Sequence, residues 1–341
     1  MNDSILPLGK LPPELLADLL ASVPDLDDSV LVGPGPGLDC AVLDRGGDSL
    51  LVLKSDPITF TAGDLGWYLV QVNANDIATT GATPRWLMAT LLFPEAHATE
   101  ALVRTTFDKL MEACVASHIV LIGGHTEVTQ GIDRPIAVGT MIGTVPRDAL
   151  VTPRGARPGD MLLLTKFVPL EAVAILCQEF PNRLRQVLGA DGVEQGAAYH
   201  RHPGISVLHD AQIATAAGRV NAMHDPTEGG LASAIWELAE ASGRRMVIDP
   251  AMIPVSELAG RVCLEFGINP LGAISSGALL LSVPEPDHGP VCQALREQGI
   301  PCAVIGRVES GPAGAWSKGL AGLQPLDRPE RDEIARLFDS L

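Results

Sequence analysis

Residues 224–231 form the most constrained segment of the sequence and read His224-Asp225-Pro226-Thr227-Glu228-Gly229-Gly230-Leu231. Asp225 can serve as a helix N-cap, Pro226 fits the first helical position, and Glu228 completes an arrangement like a capping box. Capping does not explain Gly229 and Gly230, because each glycine costs roughly 1 kcal/mol relative to alanine inside a helix. The segment therefore predicts a helix whose first turn has no room for side chains.

Two things could exclude side chains from that first turn. A phosphate could approach the positive end of the helix, or another backbone segment could pack against it. We favour the ligand interpretation, and capping alone is the alternative.

A second pair of glycines follows an apolar strand in the first half of the chain, in Ile122-Gly123-Gly124-His125-Thr126-Glu127. Paired glycines at a strand end let backbone N–H groups approach a ligand closely. The alternative is an ordinary tight turn. A single histidine such as His125 is more often a structural hydrogen-bonding residue than a catalyst.

Three aspartates stand beside glycine or at the ends of predicted elements. Asp39 follows the Gly/Pro loop of residues 33–37, Asp56 ends a strand over 50–54, and Asp76 lies on a predicted helix. Mg²⁺ takes one or two carboxylates in addition to phosphate oxygens and waters. The three residues are therefore candidate magnesium ligands, and the alternative is that each is a turn former or a helix cap.

The wider pattern predicts two α/β or α+β halves, as the length of 341 residues also favours. A segment rich in proline and arginine over 145–160 is either a linker between domains or a long surface loop, and we favour the linker. Periodicity predicts helices over 13–23, 64–79, 99–116, 170–178, 205–217, 227–242 and 288–298, and strands over 50–54, 86–93, 118–122, 136–145, 161–165, 246–248, 278–283 and 302–308.

Composition excludes several classes of function. The formal charge of −17, five lysines and 4% aromatic residues disfavour a nucleic-acid partner. No apolar run is long enough to span a bilayer, and Met1–Ser4 shows no secretory signal. Six scattered cysteines without a CxxC pair argue against a zinc site or a disulfide framework, so we expect a cytoplasmic protein.

The common nucleotide and hydrolase motifs are absent. There is no P-loop, no GxSxG elbow and no HExxH. The nearest dinucleotide fingerprint begins at Gly33-x-Gly35 and has Leu38 where the third glycine belongs.

The ordered motifs, taken together, resemble one superfamily. They are Gly37-x-Asp39-x-Ala41-Val42, Asp56, Asn75-Asp76-Ile77-Ala78-x-x-Gly81-Ala82-x-Pro84, Gly123-Gly124-x-Thr126 and His224-Asp225-Pro226-Thr227-Glu228-Gly229-Gly230. The sequence is similar to the aminoimidazole ribonucleotide (AIR) synthase superfamily, which includes thiamine-monophosphate kinase, selenophosphate synthetase and the hydrogenase-maturation protein HypE. Among these relatives, its motifs over 75–84 and 224–230 resemble those of HypE most.

The resemblance implies a two-domain fold with an N-terminal domain over 1–153, whose sheet pairs with a partner subunit into a β-barrel, and a C-terminal α/β domain over 154–341. It implies ATP in the interdomain and intersubunit cleft, with Mg²⁺ as the second cofactor. By the same analogy, the magnesium ligands are Asp39, Asp56 and Asp76, and the nucleotide is bound by Asn75, Gly123, Gly124, Thr126, Asp225, Thr227, Gly229 and Gly230. His125 and Glu127 are the candidate catalytic residues.

Three positions depart from the pattern of the relatives. Leu38 replaces an acidic residue, and His125 replaces Asp or Glu, although Glu127 is close enough in sequence to substitute for it. HypE-type proteins also end in a cysteine-bearing tail, whereas this sequence ends at Leu341 with its last cysteine at Cys302. We therefore expect no carbamoyl-to-cyanide chemistry on a tail cysteine.

The expected function is ATP- and magnesium-dependent phosphoryl transfer onto an unknown acceptor, a carbonyl or amide oxygen by the resemblance. The alternatives are a small-molecule kinase like thiamine-monophosphate kinase and a nucleotide-binding protein without turnover. The strands over 86–93 and 136–145 are apolar on both faces, which predicts a homodimer that covers them.

Overall fold

A computed structural model of the protein describes residues 6, 9, 11–24, 27–35, 37–59, 63–319 and 322–340. The described residues fall into two compact units. The C-terminal unit contains residues 151–319 and 322–340, together with 35, 37, 38 and the described residues before 25, which include helix α1 (Pro13–Ala21). The N-terminal unit contains residues 27–34 and 39–150, apart from those not described.

The N-terminal unit is a six-stranded sheet with two helices. Its elements are β1 (Val30–Val32), β2 (Ala41–Leu43), β3 (Ser49–Ile58), α2 (Leu65–Thr79), β4 (Thr83–Pro94), α3 (Glu100–Ala116), β5 (Val120–Thr129) and β6 (Ile136–Pro146). The strand order is β1-β2-β3-β6-β4-β5, antiparallel except for the parallel pair β4–β5. Strand β5 is therefore an edge strand.

Helix α2 packs closely onto the sheet because glycines on β6 leave room for it. A β-carbon on Gly143 would clash with the side chain of Ile77, and one on Gly139 would lie 2.7 Å from the amide nitrogen of Asn73. Leu69 and Ile77 of α2 are fully buried in this contact. The helix therefore lies against β3 and β6, where its polar residues reach the sheet.

The strand β5 and its neighbour β4 carry exposed apolar side chains. Val120, Ile122 and Val128 on β5 are each more than half exposed, and Met88 on β4 is 45% exposed. One face of the sheet is covered by α2 and α3, and these residues stay outside that core. A long apolar edge of this kind favours association with another chain.

The C-terminal unit is a seven-stranded sheet with seven longer helices among the residues described after 150. Its elements are β7 (Met161–Thr165), α4 (Leu170–Glu179), α5 (Pro181–Ala197), α6 (Leu208–Ala217), β8 (Ala222–His224), α7 (Gly230–Ser242), β9 (Arg245–Ile248), α8 (Glu257–Phe266), β10 (Leu280–Val283), α9 (Glu285–Glu297), β11 (Cys302–Glu309), β12 (Gly314–Gly319), β13 (Gly322–Pro325) and α10 (Glu333–Asp339). The strand order is β13-β12-β9-β11-β7-β10-β8. Leu164, Ile235 and Leu280 lie in its core, so α7 packs on this sheet.

The predicted α/β architecture of two layered halves is confirmed, and most predicted elements are present within a few residues. The predicted start of the helix over 227–242 is wrong. Helix α7 begins at Gly230, and its N-cap is Gly229 in the left-handed conformation, with φ 78°. Asp225, Pro226 and Glu228 therefore precede the helix rather than capping it.

The predicted end of the strand over 118–122 is also wrong. Strand β5 continues through both glycines to Thr129, so Gly123 and Gly124 lie inside a strand and form no tight turn. Helices α5 and α8 were not predicted. The sequence of α5 lacks a continuous apolar period, whereas α8 has one, through Ala259, Val262, Cys263 and Phe266, that was overlooked.

Met1–Ser4, where the sequence shows no secretory signal, lies outside the described residues. None of the helices described here has the length and apolarity to cross a membrane.

Candidate functional site

The three predicted metal ligands converge on one lysine in the N-terminal unit. The Lys54 Nζ lies 3.2 Å from Asp56 Oδ2, 3.2 Å from Asp76 Oδ2 and 3.8 Å from Asp39 Oδ1. Residues that are 37 positions apart in sequence thus share a single cation. We call Asp39, Lys54, Asp56 and Asp76 the aspartate cluster.

Three segments of backbone position the aspartate cluster. Lys54 and Asp56 lie two residues apart on β3, so their side chains share one face of the sheet. Asp76 comes from α2, which packs on that face, and Asp39 comes from the segment before β2. The cluster therefore exists only when β3 and α2 are packed together.

Asn73 fixes the helix to the strand at this point. Its side-chain oxygen accepts a hydrogen bond from the Asp56 N–H at 3.1 Å, and its amide nitrogen donates to the Leu69 carbonyl at 2.9 Å. Asn73 thus bonds the main chain of Asp56 and of Leu69. The Asp56 carboxylate is not used in these bonds and faces Lys54 in the cluster. Asn75, the neighbour of Asp76, is fully buried on the same helix.

The charges in the cluster compensate for one another. Burial lowers the pKa of Lys54, but Asp76, Asp39 and Asp56 raise that pKa well above its ordinary value overall. The Lys54 side chain is only 12% exposed and that of Asp76 only 5%. A buried ammonium is tolerated here because carboxylates surround it, so Lys54 is charged at neutral pH.

One row of paired residues runs from the aspartate cluster to the second glycine pair. Asp56 pairs with Gly139, Gly139 with Ala89, and Ala89 with Gly124, so the row crosses β3, β6, β4 and β5. Three strand spacings separate Asp56 from Gly124, or about 14 Å. Within one chain, the aspartate cluster and the glycine pair therefore lie in the same row of the sheet. They are too far apart to contact the same phosphate group.

The reason for Gly124 is found on the neighbouring strand. A β-carbon on Gly124 would overlap the carbonyl oxygen of Ala89, whereas one on Gly123 would meet no atom within 4 Å. Close packing of β4 against β5 therefore requires Gly124. Gly123 and Thr126 are exposed on the edge strand β5.

His125 and Glu127 form an exposed pair on β5. The His125 Nε2 lies 3.0 Å from Glu127 Oε2, and the side chains are 64% and 46% exposed. An exposed pair of this kind contributes at most about 1 kcal/mol to stability. In one chain, the pair is held at the sheet edge, away from the aspartate cluster.

The segment 224–230 in the C-terminal unit is used largely by the fold. His224, at the end of β8, is 3% exposed, and its Nε2 lies 2.7 Å from Glu237 Oε2 on α7. Asp225 is 1% exposed. Thr227 is half-buried, and its carbonyl accepts a hydrogen bond from the Gly230 N–H at 2.9 Å. This tight turn starts α7.

Both glycines of that segment have a packing reason. A β-carbon on Gly230 would lie 2.6 Å from the carbonyl oxygens of Leu271 and Ala273, and the φ of Gly230 is 61°. The φ of Gly229 is 78°, and a β-carbon there would clash with the Ser233 side chain. The Gly229 N–H also donates a hydrogen bond to Asp332 Oδ2 at 2.7 Å. Of the two predicted reasons for the glycines, backbone packing is the one present at Gly230.

Two buried acids beside this turn were not predicted. Burial raises the pKa of Asp332 to about 6, although hydrogen bonds from the Gly229 and Ile334 amides lower it. Burial raises the pKa of Glu171 to about 7, and the charges of Glu228 and Asp332 add to the rise. Nothing in the local sequence marks either residue, because their partners are far away along the chain.

Lys54 was also missed, although the sequence holds a signal for it. It interrupts the apolar run Leu50–Leu53 and is one of only five lysines in the chain. A cation on an apolar strand needs a buried counter-charge, and three aspartates were already predicted to form one site. The lysine could have been predicted as their partner.

The aspartate cluster has the donor set of a magnesium site. Its oxygens come from three carboxylates that already surround one cation, and carboxylates with water and phosphate oxygens are the ligands Mg²⁺ prefers. The Mg–O distance is about 2.1 Å, shorter than the distances to the ammonium, so bound Mg²⁺ would use waters or draw the carboxylates inward. The carboxylates fit the ion in donor type, and in this structure the Lys54 ammonium lies among them.

Sequence families place this two-unit α/β protein in one class. The AIR synthase related protein family matches the chain twice, its N-terminal domain over residues 37–145 and its C-terminal domain over residues 157–316. The chain therefore belongs to the AIR synthase related protein family.

Individual relatives fall in two groups. A putative hydrogenase expression/formation protein of Methanocaldococcus jannaschii is 28% identical over 96% of this chain and 97% of its own length. Carbamoyl dehydratase HypE of Azotobacter vinelandii is 30% identical, over 74% of this chain and 72% of its own. Thiamine-monophosphate kinase of Escherichia coli O157:H7 is 30% identical, over 80% of this chain and 83% of its own length.

A solved structure shares the fold. The hydrogenase maturation protein HypE in complex with ATP superposes with a TM-score of 0.71 at 23% identity, covering 93% of this chain and 91% of that one. The predicted superfamily and the similarity to HypE are confirmed.

Proposed function

We propose that the protein binds ATP with Mg²⁺ and transfers its terminal phosphoryl group to an acceptor oxygen. The observation that carries this proposal is the convergence of Asp39, Asp56 and Asp76 on one cation. The protein has a formal charge of −17, so a nucleotide phosphate would be repelled unless a metal ion joined it to these carboxylates. The HypE structure with ATP supports the same assignment.

The chain's own groups would orient the nucleotide, and bound Mg²⁺ would neutralise the charge that develops on the transferred group. Asn73 and the buried Asp76 hold the cluster in place. We assign Asn75, Gly123, Gly124, Thr126, Asp225, Thr227, Gly229 and Gly230 to nucleotide binding, as the resemblance implies. The domain division at residues 153 and 154 is proposed on the same basis.

His125 and Glu127 are proposed as the catalytic pair, in which Glu127 orients the imidazole for proton transfer. Their distance from Asp56 along the sheet means that one chain cannot bring both groups to one phosphate. We therefore propose a homodimer in which a second copy covers the strands over 86–93 and 136–145 and also the exposed edge β5. Light scattering at micromolar concentration should give the dimer mass, and a monomer mass would contradict this.

The relatives indicate only the chemical class of the acceptor. We propose a carbonyl or amide oxygen, as the name carbamoyl dehydratase suggests for the HypE relative. A small-molecule kinase is the second candidate, because thiamine-monophosphate kinase matches 80% of the chain at 30% identity. A nucleotide-binding protein without turnover is the third. Product analysis after incubation with ATP and candidate acceptors separates the three.

Calorimetry tests the nucleotide site directly. We expect ATP to bind in the micromolar range with Mg²⁺ and not in its absence. Asp39→Asn and Asp76→Asn should each weaken binding at least about tenfold, because a lost metal ligand costs more than about 1.4 kcal/mol.

Asp48→Asn is the matched control for these variants. It removes one carboxylate from the same unit, at an exposed position outside the cluster, and should bind ATP as the unaltered protein does. Metal-independent ATP binding that survives in both cluster variants would remove the site from these residues.

A further inference from the structure

We propose that the Lys54 ammonium is a built-in cation of the aspartate cluster and occupies one position that a divalent ion would otherwise take. The inference rests on the proposed magnesium role of the cluster and adds the residue that limits how many ions it holds. Its consequence is that the free protein binds divalent ions weakly at this place, and that replacing Lys54 creates a stronger metal site.

The geometry supports a stand-in role. The ammonium lies within 4 Å of carboxylate oxygens from β3, from α2 and from the segment before β2. Asp56 and Asp76 lie at 3.2 Å from the ammonium, and Asp39, at 3.8 Å, contributes its charge. An ion pair needed only to hold β3 to α2 would require Asp76 alone, and that link is already made by the hydrogen bonds of Asn73.

The charge balance leads to the same conclusion. Three carboxylates and one ammonium leave two negative charges, which one divalent ion neutralises. Without the ammonium, the three carboxylates would lose a cation that they share, at a site where Asp76 is 5% exposed. Neighbouring carboxylates bind a cation more strongly when no ammonium among them repels it.

Position on the strand explains why lysine is suited to this role. Lys54 lies on the same face of β3 as Asp56, and its long side chain carries the charge from the strand to α2. Thr or Met at this position would keep the strand but bring no charge. The proposal therefore concerns a single side chain and can be tested by its removal.

The test is a titration with Mn²⁺ in the absence of nucleotide, followed by electron paramagnetic resonance of free and bound ion. The unaltered protein should bind Mn²⁺ weakly at the cluster. Lys54→Met should bind Mn²⁺ at least about tenfold more tightly, because the ammonium no longer competes with the ion for the three carboxylates. Adding Asp76→Asn to Lys54→Met should abolish the gain.

Lys109→Met is the control, because Lys109 is on α3 of the same unit and pairs with Glu112 at the surface. It removes the same charge and should leave Mn²⁺ binding unchanged. Equal gains in Lys109→Met and Lys54→Met would mean that the effect is general electrostatics, which overturns the proposal.

Lys54→Met could also fold poorly without metal, so thermal unfolding is measured in parallel. Mn²⁺ should then raise the melting temperature of Lys54→Met by several degrees more than that of the unaltered protein. A variant that binds Mn²⁺ no better than the unaltered protein, or that stays unfolded at saturating Mn²⁺, overturns the proposal. ATP binding is scored separately. A gain in Mn²⁺ binding without any ATP binding would support the role of Lys54 and reject the proposed function.

Discussion

The aspartate cluster and the segment 224–230 came from equally specific sequence motifs, but the fold uses them differently. In the aspartate cluster, motif side chains gather around one buried charge that no packing rule requires. In the segment 224–230, Gly230 allows two backbone carbonyls to approach, and the Gly229 N–H is held by Asp332. A motif can therefore be specific to a family because the fold needs it.

This difference suggests how to treat small residues and charged residues in a motif. A glycine should first be explained by what a β-carbon would strike, as at Gly124 and Gly230. A buried carboxylate has no such simple explanation, since burying it costs free energy unless a partner compensates. The carboxylates are thus the stronger indication of a ligand.

The largest predicted effect tests the structural use of Gly230. Gly230→Ala should lower the free energy of unfolding by about 3 kcal/mol or more, because of the positive φ and the contact with Leu271 and Ala273. Urea denaturation gives the value.

Gly243→Ala is the matched control at the other end of the same helix. Its φ is similar, 67°, and a β-carbon there would meet no atom within 4 Å. It should therefore cost only about 1 kcal/mol. If Gly230→Ala were as stable as Gly243→Ala but failed to bind ATP, the segment would serve the ligand and not the fold.

The next effect concerns the acids beside that segment. Glu171 has its pKa raised to about 7 in the folded protein, above the value of an unfolded glutamate, so the folded state holds a proton that the unfolded state releases. Its contribution to stability is present at low pH and is lost as the pH rises towards 7. The pKa of Asp332 is raised to about 6, so Asp332 changes the stability in the same direction.

Glu171→Gln should remove most of this dependence. At pH 8 the variant should be more stable than the unaltered protein by on the order of 2 kcal/mol, and at pH 4 nearly equal to it. Glu179→Gln, at the exposed end of the same helix α4, should follow the unaltered protein at every pH. Parallel curves for Glu171→Gln and the unaltered protein would contradict the assignment.

The smallest expected effect concerns covalent modification of the cysteines, which we expect not to occur. All six are buried, and burial raises the pKa of Cys114 to about 11 and those of Cys177 and Cys263 to about 12, so these thiols are poor nucleophiles. The Cys292 pKa is lowered to about 7, chiefly by its contact with Cys302, whose sulfur is 2.9 Å away.

Incubation with ATP and a carbamoyl donor should leave every described cysteine unmodified, because burial keeps the reagent from all six thiols, including Cys292 with its lowered pKa. Intact-protein mass spectrometry with peptide mapping is the measurement. An adduct on Cys40, which donates a hydrogen bond to the Asp76 carbonyl beside the aspartate cluster, would instead connect that cluster to carbamoyl chemistry.

Sequence reasoning gave the architecture because strand and helix periods are local properties. It placed Asp39, Asp56 and Asp76 in one site through the resemblance, and the structure brings these three together. It misplaced the start of α7, because Asp225, Pro226 and Glu228 imitate a helix cap that the left-handed Gly229 supplies instead. Lys54 was missed although Asp56 is two residues away, because its other two partners, Asp39 and Asp76, are distant in sequence.

The misjudged end of β5 has a related cause. Two glycines in succession usually end a strand, and only the position of β4 shows why the strand continues here. The carbonyl of Ala89 needs the space that Gly124 leaves. Contacts between strands are not visible in a single segment, so such a boundary cannot be derived from its residues alone.

The row that joins Asp56, Gly139, Ala89 and Gly124 limits how this protein can change in length. One residue inserted into β6 ahead of Gly139 would turn the following side chains to the other face of the sheet and put a bulky residue against Asn73. The connection over residues 130–135, between β5 and β6, has no such constraint. Insertions and deletions should be tolerated in that turn and rejected within the four strands, so the turn is the place to attach a tag or a reporter.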